Sequence, residues 1–77
     1  MRDLLEFLVR GLVSEPDEVY VTEIEEIEGD VVLELEVADD DLGRVIGRGG
    51  RVANALRTVI KAAATREQKR AMVEILD

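Results

Sequence analysis

Apolar residues recur at helical spacing in the first part of the chain. Between Asp3 and Val13 they occur every three or four positions, which predicts an amphipathic helix with Asp3 at its start. The apolar stripe consists of Leu4, Leu5, Phe7, Leu8, Val9 and Leu12. The segment from Ser14 to Asp17 contains the only proline of the chain and should end the helix. We expect the stripe to pack into the core rather than against a partner protein.

Two segments with the alternation of β-strands follow the first helix. Glu18 to Ile27 is rich in β-branched residues, but its alternation falters between Val21 and Ile24, which leaves a bulge or a change of buried face open. Val31 to Val37 alternates cleanly between apolar and polar residues. A turn around Gly29 separates the two segments, so they should form an antiparallel hairpin with one face in water.

The rest of the chain predicts a short helix, a long helix and a last strand. Ala38 to Asp41 should end the sheet, and one of its aspartates should cap a short helix that runs to about Val45. Arg51 to Ala64 has the longest helical pattern. Its predicted buried residues are Val52, Leu56, Val59, Ile60 and Ala63. After a polar connection, Arg70 to Leu76 alternates again as a strand.

The element order α-β-β-α-α-β predicts a single domain of the α+β class over residues 1–77. A strand, a helical crossover and a second strand usually form a right-handed parallel unit. The last strand should therefore pair parallel to the strand at Val31 to Val37. This topology gives a mixed three-stranded sheet with the helices on one face.

Composition excludes several classes of chemistry. The chain has neither cysteine nor histidine, so it offers no disulfide, no zinc site of the usual kind and no thiol nucleophile. Ser14 has no plausible base beside it, so we expect no enzyme, and the aspartates at 39–41 are more typical of a helix cap than of a metal site. We expect no cofactor. No apolar run resembles a signal peptide or a membrane span, so a cytoplasmic location is the default expectation.

Charge is distributed unevenly along the chain, whose net charge is −8. Met1 to Leu42 contains 15 acidic and two basic residues, whereas Gly43 to Asp77 contains eight basic and three acidic residues. Such asymmetry can create a local positive surface that attracts an anionic ligand despite the overall negative charge. The alternative is that both surfaces are simply solvated.

Glycines are concentrated at the start of the long helix. Gly47, Gly49 and Gly50 fall within four positions, where the backbone can adopt positive φ and another chain can approach closely. A helix that begins just after such a turn presents free N–H groups and the positive end of its dipole. Arginine, which pairs well with phosphate, occurs here at positions 44, 48 and 51. The sequence therefore predicts an anion-binding site at this turn.

The segment Ile46-Gly47-Arg48-Gly49-Gly50 resembles the I-G-x-x-G signature of KH domains, which bind single-stranded RNA or DNA. The longer segment from Leu42 to Thr58 resembles small bacterial single-KH proteins of the KhpA type. The resemblance implies a type II-like KH fold that binds single-stranded RNA through this loop and an adjoining groove. It also implies an RNA chaperone or post-transcriptional regulator. The implied RNA-binding residues are Gly43, Arg44, Ile46, Gly47, Arg48, Gly49, Gly50 and Arg51.

The rest of the groove can be anticipated only in outline. We expect the strand from Val31 to Val37 to form the wall opposite the loop and to contact base edges through its backbone. Ile46 could line the groove or anchor the loop in the core. Arg57 and Lys61 could extend the basic surface or simply be solvated. Because no aromatic residue lies near the loop to stack on bases, we expect weak, salt-sensitive binding with little sequence preference.

The alternative function is that of a protein-interaction module. Small cores often gain stability by association. The resemblance to KhpA-type proteins implies that this chain forms homodimers or pairs with a larger, Jag-type KH protein. The candidate contact surfaces are Met72 and Leu76 on the outward face of the last strand, or Ile60 at the margin of its helix.

Overall fold

The computed structural model describes all residues from 1 to 77. The helices are α1 (Arg2–Arg10), α2 (Leu42–Ile46) and α3 (Arg51–Arg66), and the strands are β1 (Tyr20–Glu25), β2 (Asp30–Glu36) and β3 (Arg70–Ile75). The predicted order α-β-β-α-α-β and the α+β class are confirmed. None of the helices combines the length and hydrophobicity that a membrane span requires.

The three strands form one mixed sheet in the order β1-β2-β3. β1 pairs antiparallel with β2, and β3 pairs parallel with β2, as the crossover rule predicts. Residues of the hairpin pair one to one, from Tyr20 with Glu36 to Glu25 with Val31, so β1 contains no bulge. The faltering alternation in β1 has a simpler cause, because Ile24 lies partly exposed on the outer face of the sheet.

The core lies between the inner face of the sheet and the helices. β2 contributes Val31, Leu33 and Leu35, all fully or almost fully buried, and Val73 of β3 joins them. Leu5 and Val9 of α1 pack into the same cluster. The clean alternation of β2 therefore correctly predicts which of its faces is buried.

The buried faces of the helices differ from the predicted stripes. α1 ends at Arg10, three residues before the predicted end, and Phe7 remains 74% exposed. In α3, Val59 is 44% exposed, whereas the small residues Ala53 and Ala64 are buried. The buried residues of α3 are Ala53, Leu56, Ile60 and Ala64. Alanine permits close packing of a helix, so the helix can bury its small residues and leave larger apolar ones at the margin.

Asp41 connects two distant parts of the chain. It occupies the N-cap position of α2 but makes no capping hydrogen bond with its side chain, contrary to the prediction that one of the aspartates at 39–41 caps this helix. Its Oδ1 atom accepts hydrogen bonds from the Ser14 backbone N–H at 3.0 Å and from the Ser14 hydroxyl at 2.7 Å. Its Oδ2 atom accepts a third bond from the Glu15 N–H at 3.1 Å. The carboxylate is fully buried, and Ser14 was too far along the sequence to be recognised as its partner. These bonds attach the α1–β1 connection to the start of α2.

Hydrogen bonds from Ser14 hold the pKa of Asp41 below its ordinary value of 3.8, with smaller contributions from Glu15 and Arg44. The stabilisation from the carboxylate is then fully present above the unfolded-state pKa and is lost as the pH falls through the lower folded-state pKa. We expect Asp41→Asn to lower the melting temperature at neutral pH. The difference from the unaltered chain should shrink below about pH 4. Thermal melts by circular dichroism between pH 7 and pH 2.5 would measure both effects.

The matched control is Asp40→Asn, which changes an exposed carboxylate next to Asp41 that makes no hydrogen bond or ion pair with the protein. This control should melt like the unaltered chain at every pH. Equal melting of the Asp41→Asn and Asp40→Asn variants at neutral pH would show that the Asp41 carboxylate does not hold the connection in place.

Candidate nucleic-acid interface

The loop between α2 and α3 is shaped by a close approach of backbone to side chain. Gly47 has φ 76° and ψ 171°, a conformation that favours glycine. A Cβ atom at this position would lie 2.5 Å from Cγ2 of Val52 and 2.8 Å from its backbone nitrogen. Gly50, with φ 80°, then turns the chain into α3. The two glycines that frame the loop are therefore required by its geometry.

Backbone hydrogen bonds hold the loop as one tight turn. The Gly47 N–H donates to the Gly43 carbonyl at 2.9 Å, and the Gly50 N–H donates to the Gly47 carbonyl at 3.2 Å. No side chain caps the N-terminus of α3. The first-turn N–H groups of this 16-residue helix therefore donate to no capping side chain, although the Arg51 N–H donates to the Arg48 carbonyl. They and the helix dipole favour an anion at the loop.

The predicted site residues at 43–51 lie on one continuous segment, and most of them are exposed. Gly47 and Gly50 are half-buried, and Gly49 has open space where a Cβ atom would be. Ile46 is 37% exposed, so it offers an apolar surface beside the loop and is not an anchor in the core. Gly43 has no strain and no near neighbour that would require glycine, so its place in the site depends on its position alone.

The three arginines around the loop differ in their surroundings. Arg48 lies in the loop and makes no ion pair with the protein. The Nε atom of Arg44 lies 3.8 Å from Oδ1 of Asp41, so part of its charge is already compensated. Arg51 borders an apolar depression between α1 and α3. Arg48 is therefore the best placed of the three to contact a phosphate.

Unpaired cations are confined to one part of the molecule. Of the ten lysines and arginines, five take part in ion pairs: Arg2, Arg10, Arg44, Lys69 and Arg70. The other five are Arg48, Arg51, Arg57, Lys61 and Arg66, and all of them lie in the loop or on α3. The positive potential that the charge asymmetry predicts is therefore concentrated along the loop and this helix.

The expectation that the β2 strand offers its backbone edge to bases was wrong. β2 lies between β1 and β3 and pairs with both, so it has no free edge. β3 is the edge strand that packs beside α3. The predicted topology already implied that β2 is central, because it pairs with β1 in the hairpin and with β3 on its other side.

A shallow groove lies between α3 and the edge of β3. Its lining residues are Arg57, Lys61, Ala71, Met72 and Val73. The Leu76 N–H donates to β2, so in a parallel ladder the backbone groups of Ala71, Val73 and Ile75 point away from β2. Sequence reasoning missed these edge groups. Arg57 and Lys61, which it named as residues that either extend the basic surface or are simply solvated, both line this groove.

The groove is continuous with the loop through two side chains. Asn54 lies next to Gly50, with Nδ2 at 3.9 Å from the position of a Cβ atom there. The Nη1 group of Arg57 donates to Oδ1 of Asn54 at 3.4 Å, and its Nε–H donates to the Val73 carbonyl at 3.3 Å. The loop, α3 and the β3 edge therefore form one surface.

A second concave surface lies on the other side of α3. It is a depression between α1 and α3 that is almost entirely apolar. Its lining residues include Leu8, Leu12, Val52, Ala55 and Val59. The aspartates at 39–41 do not form a metal cluster, because no group of three or more potential ligands converges anywhere in the structure.

Comparison with known proteins gives a consistent result. The family model described as "KhpA/KhpB, KH domain" matches residues 2–75. The RNA-binding protein KhpA of Clostridium acetobutylicum is 54% identical over 76 residues, which cover 99% of this chain and 100% of that protein. The RNA-binding protein KhpA of Aquifex aeolicus is 46% identical over 77 residues, which cover 100% of this chain and 96% of that protein. No solved structure matches the chain. The chain therefore belongs to the KhpA/KhpB family of KH domains.

Proposed function

We propose that this chain binds single-stranded RNA. The sugar–phosphate backbone lies against the loop and the first turn of α3, and the bases enter the groove between α3 and β3. The observation that carries the proposal is the confinement of all unpaired cations to the loop and α3. The names of the relatives, each an RNA-binding protein, support the same ligand.

The loop suits a phosphate chain for three physical reasons. The open space at Gly49 lets a ligand backbone approach without meeting a side chain. The positive end of the α3 dipole lies at the loop, and no side chain caps it. Arg48 adds a full positive charge that no carboxylate compensates. A KH groove of this kind holds about four nucleotides.

The acidic part of the molecule limits where RNA can bind. On the outer face of the sheet, Glu34 of β2 lies directly beside Glu74 of β3. Neither glutamate has an ion-pair partner, whereas Arg70 on the same face is paired with Asp30 at 3.0 Å. This face repels phosphate, so electrostatics directs RNA to the opposite, α3 side of the molecule.

The groove offers backbone donors and aliphatic residues but no aromatic side chain for stacking. Affinity therefore depends mainly on phosphate contacts, which are weak, salt-sensitive and tolerant of sequence. Such binding suits an RNA chaperone or a post-transcriptional regulator that contacts many RNAs. A cytoplasmic location remains the expectation for this role.

The most direct test changes the tip of the loop. The double variant Arg48→Asp, Gly49→Asp should weaken binding to a labelled single-stranded RNA by at least about tenfold, because two carboxylates then face the phosphates. Aspartate tolerates the left-handed backbone at position 49, where φ is 63°, and a Cβ atom there meets nothing within 4 Å. Fluorescence anisotropy would measure affinity, and circular dichroism would show that the fold is retained.

The matched control is Ala62→Asp, Arg66→Asp, which makes the same change in net charge at exposed positions near the end of α3, away from the groove. This control should lose much less affinity than the loop variant. Equal losses in the two variants would mean that net charge, and not the loop, determines binding. An unchanged affinity in the loop variant would remove the loop from the RNA site.

We also propose self-association, because the depression between α1 and α3 leaves apolar side chains in water. Leu12 and Val59 on its rim are each at least 40% exposed. Covering such a surface with a second copy, or with a larger KH protein, would bury it.

Of the contact residues suggested by the sequence, Ile60 is fully buried in the core and cannot contact a partner. Met72 and Leu76 are exposed on the outer face of the sheet.

A charged residue on the rim of the depression should disrupt this association. Val59→Asp should weaken self-association by at least about tenfold, because it places a carboxylate in an apolar contact. Sedimentation velocity over a range of protein concentrations without RNA would measure the change. The matched control is Ile27→Asp, which alters an apolar residue that is 85% exposed and lies outside the depression. A concentration-independent monomer mass for the unaltered chain would contradict self-association.

A further inference from the structure

Arg57 lies where the groove meets the edge of the sheet. Its Nε–H donates to the Val73 carbonyl at 3.3 Å, across the space between α3 and β3. Its Nη1 group donates to Oδ1 of Asn54 at 3.4 Å, one turn earlier on α3. The Nη2 group makes no hydrogen bond with the protein, and no carboxylate pairs with this guanidinium.

These two hydrogen bonds determine which backbone groups of β3 are free to bond with a base. The N–H and the carbonyl of Val73 both point away from β2, toward the groove. Arg57 already uses the carbonyl as its acceptor, and it also engages the amide oxygen of Asn54. The donors that remain free here are the Val73 N–H and the unused N–H groups of the guanidinium. Beside Val73 the groove therefore presents more free hydrogen-bond donors than acceptors.

Guanine and adenine differ in the number of hydrogen-bond acceptors that they present to such donors. Guanine presents two adjacent acceptors, O6 and N7, on one edge, and arginine commonly contacts both at once. Adenine presents N7 beside an amino group, which is itself a donor and would face the guanidinium without an acceptor. An unpaired donor in a partly desolvated groove is unfavourable.

We propose that Arg57 makes the groove select guanine over adenine at the nucleotide beside Val73, by donating hydrogen bonds to O6 and N7. This inference rests on the proposed RNA binding and adds a base preference to it. The loop holds the phosphates of any sequence, and Arg57 discriminates at one nucleotide.

The test uses the full chain and short RNA oligonucleotides with two central purines flanked by uridines. The central purines are guanosine, inosine, 7-deazaguanosine or adenosine. Inosine keeps O6 and N7, whereas 7-deazaguanosine lacks the N7 acceptor. We expect the guanosine and inosine oligonucleotides to bind at least about fivefold more tightly than the adenosine one, with 7-deazaguanosine between them.

Two variants with unchanged net charge separate recognition of the guanine base from electrostatic attraction of the RNA phosphates. Arg57→Lys keeps the cation but loses the planar fork, so the preference for guanosine should fall to within about twofold. Arg10→Lys makes the same substitution at the exposed end of α1, outside the loop, α3 and the groove, and should keep the full preference. Circular dichroism melts of both variants would show that the fold is retained.

The outcomes distinguish the two proposals. Equal binding of the guanosine and adenosine oligonucleotides, with affinity still lost in the Arg48→Asp, Gly49→Asp variant, would overturn the role of Arg57 and leave RNA binding intact. A preference for guanosine that persists in Arg57→Lys would also overturn it. Failure of the unaltered chain to bind any of the oligonucleotides would overturn both proposals.

Discussion

The close contact between the Gly47 backbone and Val52 determines the shape of the functional surface. There is no room for a Cβ atom between them. Because glycine has none, the chain can turn sharply out of α2 and enter α3 after four residues. This turn leaves the first turn of α3 uncapped and exposes Arg48 and the open side of Gly49. A larger residue at position 47 would move the loop and α3 apart, and with them the donors that face a phosphate.

Ion pairs neutralise the cations elsewhere in the molecule, so the unpaired positive charge is concentrated on this surface. The cations outside the loop and α3 are held by carboxylates, as Lys69 is by Glu25 at 3.2 Å. That pairing, mainly through the hydrogen bond to Glu25, raises the pKa of Lys69. A chain with net charge −8 can therefore present a local positive surface, with the acidic face of the sheet directed elsewhere. Total charge alone would have argued against an RNA ligand.

Local patterns predicted the strands and the topology well, because the alternation in β2 and the crossover rule depend on nearby residues and chain handedness. Family membership agrees with the expectation of a protein without catalytic activity. Three features were beyond such patterns. The burial of Ala53 in place of Val59 depends on how closely α3 approaches the sheet. The Asp41–Ser14 bonds join positions 27 residues apart, and the bond from Arg57 to Val73 crosses from a helix to a strand.

The central claim is that RNA lies along the loop, α3 and the edge of β3. Nuclear magnetic resonance of the ¹⁵N-labelled chain, titrated with an unlabelled oligouridine, tests it most directly. We expect the largest amide shifts at Gly49, Gly50 and Val73, with little change at Val32 and Glu34 on the outer face of the sheet. Largest shifts in the β1–β2 hairpin, with the amides of the loop unmoved, would contradict the claim.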